Sequence, residues 1–311
     1  MNVFRLLART VVQAMILCCM LPALVRAQDD GIRRFLPLVH FFSPPVADPL
    51  EPRLSVGLLQ TNLFRVAADG RERIRPFFIP DPEDAASDVD AVASIGGTLP
   101  IWLVSGRPDG DGVLVSFQGG VISRFRIEYP TREDVGQDWL VGMPIEMRNG
   151  KWSGRVRIMH RSSHLGDELV ETTGAARIEV GGEFIDFLAA YSFRPHTRAY
   201  GGAAWTFRSY TDKTAVLLAS QGNDRIALQA GAESASYPWV DGHLGWVAGI
   251  DWRRADRTDW DDSLALAAGL TVRSNGRVAR FLLRYFTGAS LLEQFFLTPE
   301  NYWSIELGFD F

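Results

Sequence analysis

The sequence predicts an all-β fold: a transmembrane antiparallel up-and-down β-barrel of about twelve strands, with fourteen strands as the alternative. Residues 301–311 alternate apolar and polar side chains without a break, and aromatics stand at both ends of the apolar face. The chain is rich in glycine and phenylalanine, yet its mean hydropathy is close to zero. After residue 27, no window supplies the roughly 20 consecutive apolar residues of a transmembrane helix. A soluble all-β protein is the competing interpretation, but its chain would rarely end on such a face.

The first 27 residues have the pattern of a secretory signal peptide. Arg5 and Arg9 precede an apolar run over residues 11–24, and Ala27 ends a small-residue cleavage site. Cleavage there removes both cysteines, Cys18 and Cys19, so we expect no disulfide in the exported chain. It also makes the formal net charge of −5 three units more negative. This acidic balance predicts no nucleic-acid partner.

Residues 28–92 differ in composition from the rest of the chain. Prolines interrupt residues 44–52, and residues 79–90 are acidic, so neither stretch favours a long strand or helix. We interpret residues 28–92 as an irregular arm that is either periplasmic or packed at the barrel mouth. Residues 54–63 could form a strand within it. The barrel itself is predicted to span residues 93–311.

Two short phrases carry a resemblance to a known family. The sequence ADPLEPR at residues 47–53, taken with SSHLGDE at residues 162–168, resembles an exported bacterial family known as domain of unknown function 1207. The resemblance implies a barrel in the outer membrane of the Gram-negative envelope. It implies no established reaction.

From Gly112 onward, alternating segments and turn signals follow one another closely. Asn149-Gly150 and Gly181-Gly182 are interpreted as tight turns between strands. Counting back from Phe311 places such turns in the periplasm and the longer connections at residues 255–261 and 288–300 outside. About twelve strands follow Gly112, and residues 54–63 with 94–104 would raise the number to fourteen. The last strand resembles the closing strand that the barrel insertion machinery reads, so this machinery and outer-membrane lipids are the expected partners.

Strand alternation predicts a lumen lined with charge. The inward set combines carboxylates with seven arginines: Arg124, Arg126, Arg148, Arg155, Arg157, Arg161 and Arg177. One interpretation is a ladder of ion pairs that closes the lumen, because a charge within a membrane must find partners. The other is a selectivity lining that admits a small anionic solute through a narrow channel. Wide aqueous pores need about sixteen strands.

The segment at residues 159–168 carries the strongest catalytic signal. Alternation places His160, Ser162 and His164 on the outward face, near the outer-leaflet boundary. A histidine two residues before a serine can accept its proton, and Glu168 could orient that histidine. The spacing resembles the His-x-Ser of outer-membrane phospholipases and lipid A deacylases. The residues after the serine differ from theirs, and we expect no orienting acid on the next strand.

Simpler interpretations of this segment remain open. His160 and His164 could be interfacial residues that form hydrogen bonds with Ser162, Ser163 and Asp167 in a structured turn. Two histidines alone leave a zinc site short of ligands, so neither a metal nor a cofactor is predicted. The leading hypothesis is therefore a non-enzymatic outer-membrane barrel with a plugged or narrowly open lumen. A lipid hydrolase using Ser162, His160 and Glu168 is the alternative, and an envelope-anchoring protein is a third possibility.

Overall fold

A closed antiparallel β-barrel of twelve strands dominates the computed structural model, which describes residues 34–61, 89–106, 110–127, 133–173, 180–210, 225–274, 277–296 and 298–310. Strands that are consecutive in sequence pair along most of the wall, and the last strand pairs with the first strand of the wall, which closes the barrel. The predicted signal peptide, Arg177 and Phe311 lie outside these ranges.

The strands are β1 (Arg34–Phe35), β2 (Leu54–Thr61), β3 (Val89–Gly106), β4 (Gly112–Arg126), β5 (Asp134–Asn149), β6 (Trp152–Leu165), β7 (Val180–Arg194), β8 (Thr197–Ser209), β9 (Ile226–Trp239), β10 (Leu244–Ala255), β11 (Ser263–Ser274), β12 (Arg277–Ala289) and β13 (Pro299–Asp310). A short helix, α1 (Asp167–Thr173), follows β6. Short 3-10 turns at Asp256–Thr258 and Glu293–Phe295 lie in the β10–β11 and β12–β13 connections. Within the described ranges, no helix is long and apolar enough to cross a membrane.

The predicted barrel of twelve strands is confirmed, but the twelve are not those counted from Gly112. Ten strands, β4 to β13, follow that residue in the described part of the chain, and β2 and β3 supply the other two. The barrel wall therefore takes residues 54–61 and 89–92 from the range interpreted as an arm. The reason is that β2 pairs with β13 along its whole length and with β3, which closes the wall.

The two ends of the barrel differ in the length of their connections. Short turns join β5 to β6, β7 to β8 and β9 to β10 at one end, which we call the short-turn end. Longer connections at the opposite, long-loop end include α1 and residues 290–298. Gly181-Gly182 is not a turn: both glycines lie in β7, where a Cβ on Gly182 would approach the Arg208 carbonyl oxygen to 2.3 Å. The glycine is needed there for close strand approach at a β-bulge.

Strand alternation sorts the side chains of β13 as the sequence predicts. Trp303, Ile305 and Leu307 are exposed on the outer surface, whereas Tyr302 and Ser304 are buried in the lumen. The register with β12 extends the apolar outer surface, since Leu283 is opposite Ile305 and also points outward. A barrel wall of this pattern presents apolar side chains to lipid.

Candidate functional site

Residues 40–53, which we call the plug, lie inside the lumen. The plug enters at the short-turn end, where the Phe41 and Phe42 amides donate to Glu146 Oε2 of β5 at 2.8 and 3.0 Å. Further along, the Val46 amide donates to Glu233 Oε2 of β9 at 2.7 Å. Arg284 Nη1 of β12 donates to the Ala47 carbonyl oxygen at 2.6 Å. The plug is thus hydrogen-bonded to strands on different sides of the barrel.

Proline and arginine give the plug its irregular shape. Prolines within residues 44–52 cannot donate ladder hydrogen bonds, so this segment does not extend the wall. Arg53 Nη2 instead donates to the carbonyl oxygens of Pro45 and Asp48 at 2.9 and 2.8 Å, which holds the loop compact. Phe42 packs with Leu188 and Tyr200 of the wall in one buried cluster. The predicted location at the barrel mouth therefore understates how deep these residues lie.

A buried carboxylate of the plug holds two of the predicted lumen arginines. Arg155 Nη1 and Nη2 donate to the two carboxylate oxygens of Glu51 at 2.6 and 2.9 Å. Arg157 Nη1 donates to Glu51 Oε1 at 3.1 Å and Gln118 Nε2 to the same atom at 3.0 Å. Arg157 also forms a bidentate contact with Asp186 of β7. Bidentate arginine–carboxylate pairs are among the strongest hydrogen-bonded contacts in proteins.

The other predicted lumen arginines within the described residues are also paired. Arg124 contacts Asp90 and Glu300, and Arg126 forms an ion pair with Glu133. These contacts join neighbouring strands or join a strand to the long-loop end. These contacts match the predicted ladder of ion pairs more closely than a selectivity lining whose arginines would be free to bind a solute.

Arg148 lies at the short-turn end of this ladder and Arg161 at its long-loop end. Arg148 Nε donates to the Gly110 carbonyl oxygen at 2.8 Å, and its guanidinium lies 4.8 Å from the centre of the Phe41 ring. Arg161 forms ion pairs with Asp138 and with Glu293 of the β12–β13 connection.

Two arginines keep the Glu293 carboxylate ionised at the long-loop end. Burial by itself would raise the pKa of this carboxyl group, but Arg161 and Arg257 outweigh burial and hold its pKa at about 2. Glu293 is consequently ionised at any physiological pH. It ties the β12–β13 connection to β6 and to the β10–β11 connection.

The His-x-Ser segment lies on the outer surface, as alternation predicts, but its side chains form two separate pairs. Ser162 Oγ is 2.9 Å from His164 Nε2, so the serine contacts the following histidine. His160 Nδ1 is 3.3 Å from Glu183 Oε1 of β7, and Glu183 also accepts a hydrogen bond from Tyr210 at 2.7 Å. In the described part of the chain, no hydrogen bond joins His160 to Ser162.

The expected orienting residues of this segment lie elsewhere. Glu168 and Asp167 begin α1 as exposed residues, and the helix buries Leu169 in a cluster with Val135 and Phe295. Ser163 points inward and donates to Asp138. The acid on the next strand, Glu183, was missed because Gly181-Gly182 resembled a turn. Continuing the strand pairing of β6 and β7 would have placed Glu183 directly opposite His160.

The architecture and lumen define a class of protein before any relative is considered: a closed twelve-strand barrel of the outer-membrane type, with a segment of its own chain inside a polar lumen. The chain belongs to the family described as "Protein of unknown function (DUF1207)", whose model matches residues 31–311. The predicted membership is therefore confirmed. No curated protein matches the sequence.

Solved structures with a similar fold come from outer membranes. Outer membrane phospholipase A from Escherichia coli is 9% identical with a TM-score of 0.51, over 88% of this chain and 95% of that chain. The calcium-bound outer membrane phospholipase dimer from Salmonella typhi is 8% identical with a TM-score of 0.52, over 87% and 95% of the chains. At such identities, the likeness shows the fold alone.

Proposed function

We propose that this protein is an integral outer-membrane barrel that its own plug closes, and that it conducts small anions only when the plug leaves the lumen. The observation that carries this proposal is the pairing of Arg155. This arginine is buried in the wall of β6, and both oxygens of its carboxylate partner come from Glu51 of the plug. Among the described residues, no carboxylate of the wall pairs with it.

Removal of the plug would leave Arg155 without a counter-ion and would remove one of the two carboxylates that Arg157 contacts. A buried arginine without a partner is strongly unfavourable, so an entering anion could replace the Glu51 carboxylate. Rings of arginine select anions in channels. A twelve-strand barrel is narrow, so a short segment suffices to block it.

The proposal includes a cellular location. We infer that residues 1–27 direct export and that lipids surround the apolar outer surface described for β13. We also infer that the insertion machinery reads the strand that ends at Phe311. Proteolytic loss of residues 1–27 during export, detected by mass spectrometry of the membrane-inserted protein, would support the first of these inferences.

The lipid hydrolase is the weaker proposal. Nucleophilic catalysis requires one histidine that both contacts the serine and is oriented by an acid. Here His164 contacts Ser162, whereas His160 is hydrogen-bonded to the carboxylate of Glu183. The two halves of the required arrangement are thus divided between two histidines.

A reversible cross-link tests whether the plug closes the barrel. A Cβ on Gly249 of β10 would lie 3.3 Å from the Cβ of Ala47 in the plug, close to the separation in disulfides. We expect Ala47→Cys/Gly249→Cys to form a disulfide on oxidation, while each single variant does not. In planar lipid bilayers, the wild type should show no current steps.

Adding Glu51→Gln to this pair should open the barrel only in the reduced state. The reduced triple variant should then show anion-selective current steps, and oxidation should silence them. Glu168→Gln on the same cysteine pair is the matched control and should stay silent, because Glu168 is exposed on α1. A conducting wild type, or a reduced triple variant that stays silent, would contradict the proposal and favour a purely structural barrel.

A further inference from the structure

A cavity of about 230 Å³ lies in the lumen between the plug and the long-loop end. Asp48 and Leu50 of the plug border it on one side, and Thr258 and Leu291 of the long connections border it on the other. Pockets for drug-sized ligands measure about 300–1,000 Å³, so this cavity suits a smaller molecule. Its volume equals that of about eight liquid water molecules, which corresponds to a ligand of roughly ten non-hydrogen atoms.

The lining of this cavity has more positive than negative side chains. Four carboxylates border it: Asp48, Asp186, Asp256 and Glu293. Six arginines border it: Arg157, Arg161, Arg225, Arg253, Arg254 and Arg257. Carboxylates just outside this lining, Asp138, Asp251 and Asp262, pair with Arg161, Arg253 and Arg254 and offset the larger number of arginines. Arg225 forms no ion pair with a described residue, and a guanidinium of this kind beside a low-dielectric wall attracts an anion.

Two of these arginines keep hydrogen-bond donors for a ligand. Arg253 donates through Nε to Asp251 Oδ1 at 2.9 Å and pairs through Nη2 with Asp48, which leaves Nη1 without a partner among the described residues. The Arg225 guanidinium forms no hydrogen bond or ion pair with a described residue, although its backbone amide donates to Asp256 Oδ1 at 2.8 Å. The four remaining arginines at the cavity all form ion pairs with carboxylates.

Apolar side chains also border the cavity, between its charged residues. Leu140 and Leu188 are buried lumen residues that border the cavity, and Phe184 of β7 adds an aromatic side chain. A ligand that satisfies the arginines with one end would therefore bury an apolar body against these residues. Burial of that body would add to the affinity through the hydrophobic effect.

We propose that this cavity binds a small organic carboxylate with an apolar body, held by Arg253 and Arg225. The inference rests on the proposed function in one respect, since the plug forms the floor of the cavity. It adds a ligand class and two binding residues that the ion-pair ladder does not include.

Phenylacetate and 2-phenylethanol are matched probes, because they share the aromatic body and differ in charge. Equilibrium dialysis of the full exported chain in detergent, with empty micelles subtracted, should show one phenylacetate bound per barrel. The alcohol should bind at least tenfold more weakly. Arg225→Gln should weaken phenylacetate binding about tenfold. Arg273→Gln is the control and should leave binding unchanged, because Arg273 contacts Gly242 at the short-turn end.

A second pair of variants tests the cavity without altering charge. Ala204 borders the cavity and pairs with Asp186 on the inward face of the wall, so Ala204→Trp should fill the space and abolish binding. Ala199→Trp is the matched control, because Ala199 lies on the outward face of the same strand and does not border the cavity. Each variant must retain the heat-modifiable mobility of a folded barrel.

Equal binding of the two probes, or phenylacetate binding that survives Ala204→Trp, would overturn the inference. So would an absence of phenylacetate binding to the wild type. The cysteine pair separates this failure from that of the proposed function. If Ala47→Cys/Gly249→Cys forms its disulfide but phenylacetate does not bind, the plug is in place and only the ligand site is wrong.

Discussion

At the scale of single residues, the decisive contacts are those between plug carboxylates and wall arginines. Glu51 is buried and satisfied by Arg155, Arg157 and Gln118, so it is both a structural partner and the charge that closes the lumen. Its pairing also explains why arginines can face the interior of a narrow barrel. The cost of burying each charge is offset only while its partner is present.

Replacement of Glu51 should destabilise the folded barrel. Glu51→Gln leaves two buried arginines with a neutral partner, so we expect the free energy of unfolding to fall by about 3 kcal/mol. Urea unfolding in lipid vesicles, followed by tryptophan fluorescence, measures this change. Glu168→Gln on exposed α1 should change it by less than about 0.5 kcal/mol. Similar losses for both variants would show that the Glu51 pairing is not specific.

The outer-surface pair Ser162 and His164 is expected to be non-catalytic. Refolded wild-type protein and Ser162→Ala should release fatty acid from mixed phospholipid and lipid A vesicles at the same background rate. The physical reason is that the acid-oriented histidine, His160, does not contact the serine. Release by the wild type that Ser162→Ala and His160→Ala both abolish would restore the hydrolase hypothesis.

At the scale of structural elements, the long connections are anchored to the wall by charge. The β12–β13 connection carries Glu293, which joins Arg161 of β6 to Arg257 beside β10. The same connection places Phe295 in a buried cluster with Leu169 of α1. One end of the barrel is consequently held together by contacts between elements that are distant in sequence.

This anchoring predicts a defined pH dependence. The pKa of Glu293 is lowered from 4.5 to about 2 in the folded protein, so its contribution is full above about pH 4.5 and is lost as the pH falls through 2. The difference in unfolding free energy between wild type and Glu293→Gln should therefore shrink by up to about 3 kcal/mol across that window. Urea unfolding at successive pH values measures it. Ile305→Leu on the outer surface of β13 is the matched control, because it removes no titratable group.

At the scale of the whole molecule, the barrel is built with two opposed surfaces. The outer surface is apolar and the lumen holds charged residues that the plug completes. The plug and the wall therefore form one folded unit, although the plug precedes the first barrel strand in sequence. This arrangement couples closure of the lumen to stability of the barrel.

The lipid-facing surface can be tested on β13. Ile305→Arg places a charge on the outer surface near the middle of the strand, so we expect the free energy of unfolding to fall by about 2–4 kcal/mol in lipid vesicles. Ile305→Leu is the conservative control and should cause little change. An equal tolerance of arginine and leucine would contradict a lipid environment at this position.

The sequence by itself determined the features that depend on local alternation. Side chains two residues apart share a face, so the apolar outer surface of β13 and the inward arginines of β6 could be assigned without a structure. The barrel class and the family also followed from short local patterns. The prediction of a turn at Gly181-Gly182 was wrong and shows where local patterns fail. A glycine required by close strand approach looks the same in sequence as one required by a turn.

Only the tertiary structure decided which groups meet across the lumen. Residue 51 pairs with residues 155 and 157, and His160 finds its acid on the following strand. Such contacts depend on barrel closure and strand register, which join segments far apart in the chain and leave no local periodicity. For the same reason the plug and the cavity above it emerged only when the twelve strands enclosed them, since a lumen is a property of the closed sheet rather than of any one strand.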